Sequence, residues 1–421
     1  MSFDLEKVRA EFPALQITDA GKPRYYFDNP AGTQVPQRVV DAVSHCLLEA
    51  NANLGGDFAS SRFADKVVEG ARAAMADFLN APETDEIIFG QNMTTMTLHL
   101  SRSIGRHLKA DDEIILSRMD HDANVQPWVL MARDFGLKVR WLSFDTDSFE
   151  FDLAQLDKLL NERTRLVCIG GASNLLGTIN DITEISRRAR AAGAWTFVDA
   201  VQSVPHVTTD VQAIGCDFLA CSAYKFFGTH QGVLWGRREL LEQLEPYKVR
   251  PAPDELPWCF ETGTQSHEGI AGVGAAVDYF AWIGETMAGG QAAASRKTGD
   301  RRATLRSAMG LLFAYERDLA EHLIGGLTSL SGVTVQGITA IDALDRRVPT
   351  VSFTHNKRAP ADLARELAEH NIFVWSGHNY AVEAAKSLGL YENGGAVRVG
   401  PVHYNSHAEL DDLLNVLEDI L

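Results

Sequence analysis

Short apolar runs alternate with stretches of helical periodicity along most of the chain. Extended segments are expected at Glu86–Phe89, Glu113–Ser117, Lys138–Phe144, Arg165–Gly170, Trp195–Asp199, Asp217–Ser222 and Gly232–Trp235. Helical patterns such as Val67–Leu79 and Ile182–Ala192 lie between most of them or just before the first, and a short amphipathic stretch, Asp4–Phe12, precedes them all. This alternation predicts an α/β fold built on a mostly parallel seven-stranded sheet covered by helices. Too little chain separates Ser222 from Gly232 for a helical crossover, so one strand is expected to run antiparallel. In such sheets functional residues gather at the carboxyl ends of the strands.

From about Ser295 the pattern changes. A long helical stretch to about Leu330 is followed by expected strands at Val333–Gln336, Thr350–Thr354, Ile372–Trp375 and Ala396–Val399, with helices at Ala361–His370 and His407–Ile420. The chain is thus divided into an N-terminal segment (1–25) packing with the small domain, a large domain (26–294) and a smaller C-terminal α/β domain (295–421). The small-residue stretch Ala288–Ala294 is expected to be a loose connector.

Composition narrows the partners. The 421 residues are 45% hydrophobic, enough for a large core, and 39 basic against 56 acidic residues leave a formal charge of −17. Such a surface opposes nonspecific attraction to nucleic acid or anionic lipid. No apolar run suggests a membrane span, and the start, Met-Ser-Phe-Asp-Leu-Glu-Lys, lacks the regions of a signal peptide, which points to the cytoplasm. The five cysteines are odd in number and lack metal-ligand spacing, so reduced, buried thiols are expected and no metal site. Arg296, Lys297, Arg301, Arg302 and Arg306 form a basic run best explained as a solvated helix face.

The chemistry centres on Phe197-Val-Asp199-Ala-Val-Gln202 and Ser222-Ala-Tyr224-Lys225-Phe-Phe-Gly228. A carboxylate at a strand end and a lysine among apolar and aromatic neighbours are what pyridoxal phosphate chemistry requires. The amine forms a Schiff base with the cofactor aldehyde, and the anion keeps the pyridine nitrogen protonated. Desolvation favours the neutral, reactive amine. Gln91-Asn92-Met93-Thr94-Thr95, between an apolar run and a helical pattern, is a candidate phosphate cradle; the alternative is an ordinary helix cap.

Through these motifs the chain resembles the class V aminotransferase family of pyridoxal phosphate enzymes, fold type I. Within it the chain is most similar to the group II cysteine desulfurases and to a desulfurase-like branch that carries Ser-Ala-Tyr-Lys-Phe-Phe-Gly. The resemblance runs from about Tyr26 to about Leu414 and implies the roles of further residues. Lys225, His121 and Asp199 are the expected catalytic groups, His121 stacking on the cofactor ring. Thr94, Thr95, Ser222 and Thr264 are expected at phosphate, Thr264 from a loop that reaches the neighbouring subunit, so a homodimer with shared active sites is implied. Asn174, Gln202 and Tyr224 complete the cofactor set. Arg398, in Ala396-Val-Arg398-Val-Gly400, is expected to grip the α-carboxylate of a small amino-acid substrate through its guanidinium fork.

Two departures from the family pattern bear on the reaction. Trp375-Ser-Gly-His378-Asn379-Tyr380-Ala381 matches the loop that carries the nucleophilic cysteine in group II desulfurases, and Tyr380 stands at the thiol position. A phenol cannot form a persulfide. Asn53-Leu-Gly-Gly56 replaces a His-Arg pair near the substrate, which suggests a roomier pocket. The expected function is desulfurase-like or carbon–sulfur lyase chemistry on a β-substituted amino acid. Transamination, epimerisation or racemisation, and a catalytically quiet cofactor-binding role remain as alternatives.

Overall fold

The computed structural model describes residues 3–287 and 300–421. The expected connector at Ala288–Ala294, the boundary at 294/295, and Arg296 and Lys297 lie outside the described residues.

The central sheet has seven strands in the order Ile87–Gly90, Gly232–Gly236, Phe218–Ser222, Trp195–Asp199, Thr164–Gly170, Glu113–Ser117, Lys138–Leu142. Every pairing from Phe218–Ser222 to Lys138–Leu142 is parallel, and Gly232–Gly236 runs antiparallel to both of its neighbours. Strands such as Glu113–Ser117 and Phe218–Ser222 are buried along their whole length, because apolar clusters under the helices cover both faces of the sheet. Helix starts follow local capping: Asp152, Asp181 and Asn92 each accept a backbone N–H from the first turn of the helix they precede.

A second, four-stranded antiparallel sheet joins Val333–Gln336, Val351–His355, Ala396–Val399 and Trp375–Gly377. The expected strand Ile372–Trp375 is in fact two pieces. Ile372–Phe373 pairs in parallel with Tyr25–Tyr26, while Trp375–Gly377 joins the four-stranded sheet. The N-terminal stretch also meets this region through Arg9, which donates to the Tyr404 carbonyl at 2.7 Å and to Glu409 at 2.8 Å. The helix expected at Val67–Leu79 begins earlier, at Ala59, where Arg62 and Asp65 break the apolar periodicity. Arg301 and Arg302 are not a solvated face: Arg301 pairs with Asp77 at 2.6 Å, and Arg302 donates to the Phe78 and Thr209 carbonyls.

Candidate active site

The carboxyl ends of the parallel strands lead into the loops that build the site. Ser117 is followed by Asp120 and His121, Gly170 by Asn174, Asp199 ends its own strand, and Ser222 leads through one 3-10 turn to Lys225. The four-stranded sheet contributes Arg398, and the loop after Trp375–Gly377 contributes Asn379 and Tyr380. Together they line a cavity of about 370 Å³.

Lys225 donates to the carbonyls of Pro30 at 2.5 Å and Ala31 at 2.8 Å. Burial, reinforced by the Arg398 charge, pulls its amine down to about 7, against the opposing pull of Asp28 and Asp199. Asp199 is 7% exposed, and burial raises its carboxyl to about 6 despite the Val201 N–H it accepts at 3.0 Å. Asp120, fully buried, is raised to about 7 by desolvation although Ser117, Gly170 and Asn124 all donate to it. His121 is held neutral, its imidazole lowered to about 3 by burial and by the nearby Lys225 and Arg398 charges. Its Nδ1 accepts the Ala123 N–H at 3.0 Å, which places the ring proton on Nε2.

Arg398 is 4% exposed, and burial lowers its guanidinium to about 10. One Nη donates to the Asn174 carbonyl at 3.1 Å and the other lies 3.5 Å from Asp28. Among the described residues its Nε has no partner, and neither has Asn174 Oδ1 or Asn379 Oδ1. Buried polar atoms left unpaired at a cavity wall call for a polar ligand.

The remaining expected residues divide. Thr94, Gln202, Ser222 and Tyr224 line the cavity. Gln202 donates to the Pro30 carbonyl at 2.7 Å, and Tyr224 stacks on His230 with centroids 4.8 Å apart, which gives His230 a place in the wall. Ser222 Oγ accepts the Met93 N–H at 3.0 Å, at the amino terminus of the helix Met93–His107. Gly232 allows this close approach, since a Cβ there would lie 2.6 Å from the Asn92 backbone. Tyr380 reaches the cavity while 65% exposed.

Thr95, Thr264 and Asn53 are not brought to this cavity. One residue further along the helix rotates Thr95 away from Thr94, and both its amide and hydroxyl bond Asn92 Oδ1. Thr264 and Asn53 border separate surface depressions shared with Gln265 and His267. Asp28, Pro30, Ala31 and Asp120 escaped the sequence reading. The first three belong to a loop remote in sequence with no signature of its own; Asp120 sat beside His121 and its burial could not be seen.

The cavity fits pyridoxal phosphate. It offers a helix amino terminus with Ser222 beside it for an anion, a buried carboxylate at a strand end, a lysine whose amine burial brings to about 7, and Arg398 in the same wall. Among the described residues no group of histidine, cysteine or acidic side chains could hold a metal ion.

Comparisons with known proteins agree. The family described as Aminotransferase class-V matches residues 25–312 and 305–413. A cysteine desulfurase from Yersinia pestis (strain Pestoides F) is 31% identical over 435 residues, covering 100% of this chain and 99% of the relative. The apo structure of a cysteine desulfurase from Thermococcus onnurineus NA1 superimposes with a TM-score of 0.86 at 29% identity, covering 99% of this chain and 97% of that one. A cysteine desulfurase from Escherichia coli gives 0.82 at 26% identity, covering 100% and 98%. The chain therefore belongs to the class V aminotransferase family and is a pyridoxal-phosphate-dependent enzyme with the fold of the cysteine desulfurases.

Proposed function

We propose that the protein acts on a small β-substituted amino acid by desulfurase-like or carbon–sulfur lyase chemistry that passes through no cysteine persulfide. The observation that carries this reading is the loop tip over His121, where a phenol stands and no thiol is in reach: none of the five cysteines lines the cavity, and all are buried. Burial also holds the thiols of Cys168, Cys216 and Cys221 well above their ordinary range, so none is a ready nucleophile.

When bound, pyridoxal phosphate supplies an electron sink for the carbanion left by removal of the α-proton. The residues supply the rest. Ser222, whose oxygen takes the Met93 N–H and whose hydroxyl proton stays free, would hold an anion, and Asp199, ionised at neutral pH, would hold a proton on a ring nitrogen. Arg398 takes the α-carboxylate with the donors it leaves free. Lys225, with an amine near 7, both accepts and returns a proton at neutral pH. His121, neutral and stacked on Tyr380 in the cavity wall, would exclude water there. For a cysteine thioether the sum consumes one water and releases the thiol, pyruvate and ammonium.

We further propose a homodimer in which Thr264 and Asn53 face the partner's site. Leu47 and Leu54, which border the same depressions, are 49% and 37% exposed, and a second copy would cover them. Among the described residues no helix is long and apolar enough to cross a membrane.

Incubation of the loaded enzyme with a panel of S-substituted cysteines, cysteine and cysteine sulfinate tests the reaction. Pyruvate with free thiol supports the lyase reading, and alanine supports removal of sulfur from the β-carbon. Accumulation of pyridoxamine phosphate with a keto acid would replace it with transamination, and no turnover across the panel would sink it.

A further inference from the structure

Outside the cavity lies a buried cluster of titratable side chains, centred on Glu316, that the proposed reaction does not use. Glu316, on the helix Arg301–Ser329, is 1% exposed. One carboxylate oxygen meets His206 Nδ1 at 2.8 Å; the other meets His403 Nδ1 at 3.0 Å and accepts the His403 backbone N–H at 3.1 Å. His403 Nε2 lies 2.9 Å from the Tyr279 hydroxyl. His206, His403 and Tyr279 are themselves 4%, 0% and 0% exposed. Burial alone would raise the Glu316 carboxyl, yet His206 and His403 outweigh it and leave the group below its ordinary value, an anion in the interior.

The partners of Glu316 come from the segments that carry the working groups. His206 closes the turn that begins at Asp199 and contains Gln202. His403 follows Arg398 after a short turn, and its neighbour Tyr404 donates to Asn29 Oδ1, while Asn29 donates to the Gly400 carbonyl at 2.6 Å. Asn29 lies between Asp28, which faces Arg398, and Pro30, whose carbonyl takes Lys225. Phe227, beyond Lys225, packs on the His403 ring with centroids 4.5 Å apart while its own backbone is left-handed at φ 69°. A left-handed phenylalanine is costly, and the surroundings must hold it.

We propose that Glu316 is a positioning residue for the reaction: through His206 and His403 it fixes the segments of Asp199 and Arg398 against the loop of Lys225, so that the three groups keep their spacing. This rests on the reading of those three as the working groups. None of the network touches the cavity, so it acts only through them.

The test compares two variants. Glu316→Gln keeps the shape and one acceptor but removes the anion. The combined change Glu316→Leu, His206→Phe, His403→Phe, made together with Tyr279→Phe so that no buried hydroxyl is left unpaired, replaces the side-chain network by apolar groups, which restores packing without its directional bonds. Three quantities are read: the Tm of the cofactor-free chain, the uptake of pyridoxal phosphate followed by absorbance, and KM and kcat with the best amino acid of the panel. The proposal expects Glu316→Gln to weaken uptake and raise KM by about tenfold each, with kcat changed less. It expects the combined variant to regain Tm without regaining uptake or KM. Uptake and KM that stay at wild-type values in Glu316→Gln, or that return together with Tm in the combined variant, would make the network a stability element and overturn the proposal. If the wild type converts no amino acid, the reaction reading fails, while uptake and Tm still decide the role of Glu316.

Discussion

The imidazole of His121 and the phenol ring of Tyr380 lie nearly parallel, their centroids 5.4 Å apart and their planes 20° from each other. Asn379 and Tyr380 both adopt left-handed backbone, at φ 51° and 59°, a conformation that costs about 1–3 kcal/mol for each such residue. The loop is held in it by specific bonds. Asn174 donates to the Asn379 carbonyl at 2.6 Å, Asp122 N–H to the Tyr380 carbonyl at 2.8 Å, and Tyr380 N–H to His378 Nδ1 at 3.0 Å. Strain maintained at a cavity wall marks a placed side chain. Tyr380→Phe is expected to retain the stack and change kcat/KM by less than about twofold, whereas Tyr380→Ala loses an aromatic pair worth ~1 kcal/mol and about fivefold. Tyr380→Cys, incubated with cysteine, should gain the mass of one sulfur at position 380. If tryptic mapping finds no sulfur there, the loop does not present its tip to the substrate.

Arg398 offers its free donors from a buried site, so the shape of the fork matters as well as the charge. Arg398→Lys should raise KM by about 10- to 100-fold, the range for losing a charge-assisted bond, with a smaller effect on kcat. Steady-state kinetics decide this; an unchanged KM would place the carboxylate elsewhere.

Lys225 makes the stability of the cofactor-free chain depend on pH with a definite sign. Its folded value near 7 lies below the ordinary 10.5, so between these limits the unfolded chain binds more protons and stability attributable to this group rises with pH. Lys225→Met removes that dependence. Urea unfolding at pH 7 and pH 10 should show wild type gaining on Lys225→Met by on the order of 3 kcal/mol. Parallel pH curves for the two proteins would mean that the amine is not buried in the free chain.

Arg347, 1% exposed, carries no carboxylate partner among the described residues. Its guanidinium donates to the carbonyls of Thr350 at 2.6 Å, Leu176 at 3.4 Å and Ile338, tying the Asn174 loop to the four-stranded sheet. Arg347→Met leaves these carbonyls unpaired and should destabilise the protein by about 3 kcal/mol in chemical denaturation. A loss below about 1 kcal/mol would show that water replaces the guanidinium there.

Much of the sheet was legible because its strands are continuous apolar runs between turn residues: Glu113–Ser117 and Trp195–Asp199 lie where the pattern places them. Ile372–Trp375 reads as one strand because periodicity cannot show a backbone that leaves one sheet at Phe373 and joins another at Trp375. In the site, Lys225, Asp199, His121 and Arg398 stand in motifs next to strand ends and converge as expected. Asp28 and Pro30 could not be foreseen, since their role is to offer a carboxylate and a carbonyl from a loop far away in the chain. Thr95 differs from Thr94 only by one step around a helix, a distinction that needs coordinates. Glu316, His206 and His403 carry no shared motif, and only their burial together reveals them.

The proposed chemistry depends above all on Lys225 as the residue that holds the cofactor. The direct measurement is borohydride reduction of the pyridoxal-phosphate-loaded protein followed by peptide mass spectrometry. A phosphopyridoxyl group is expected on the Lys225 side chain and should be lost in Lys225→Ala; a yellow, loaded protein that carries the label on another lysine, or on none, would rule Lys225 out as the anchor.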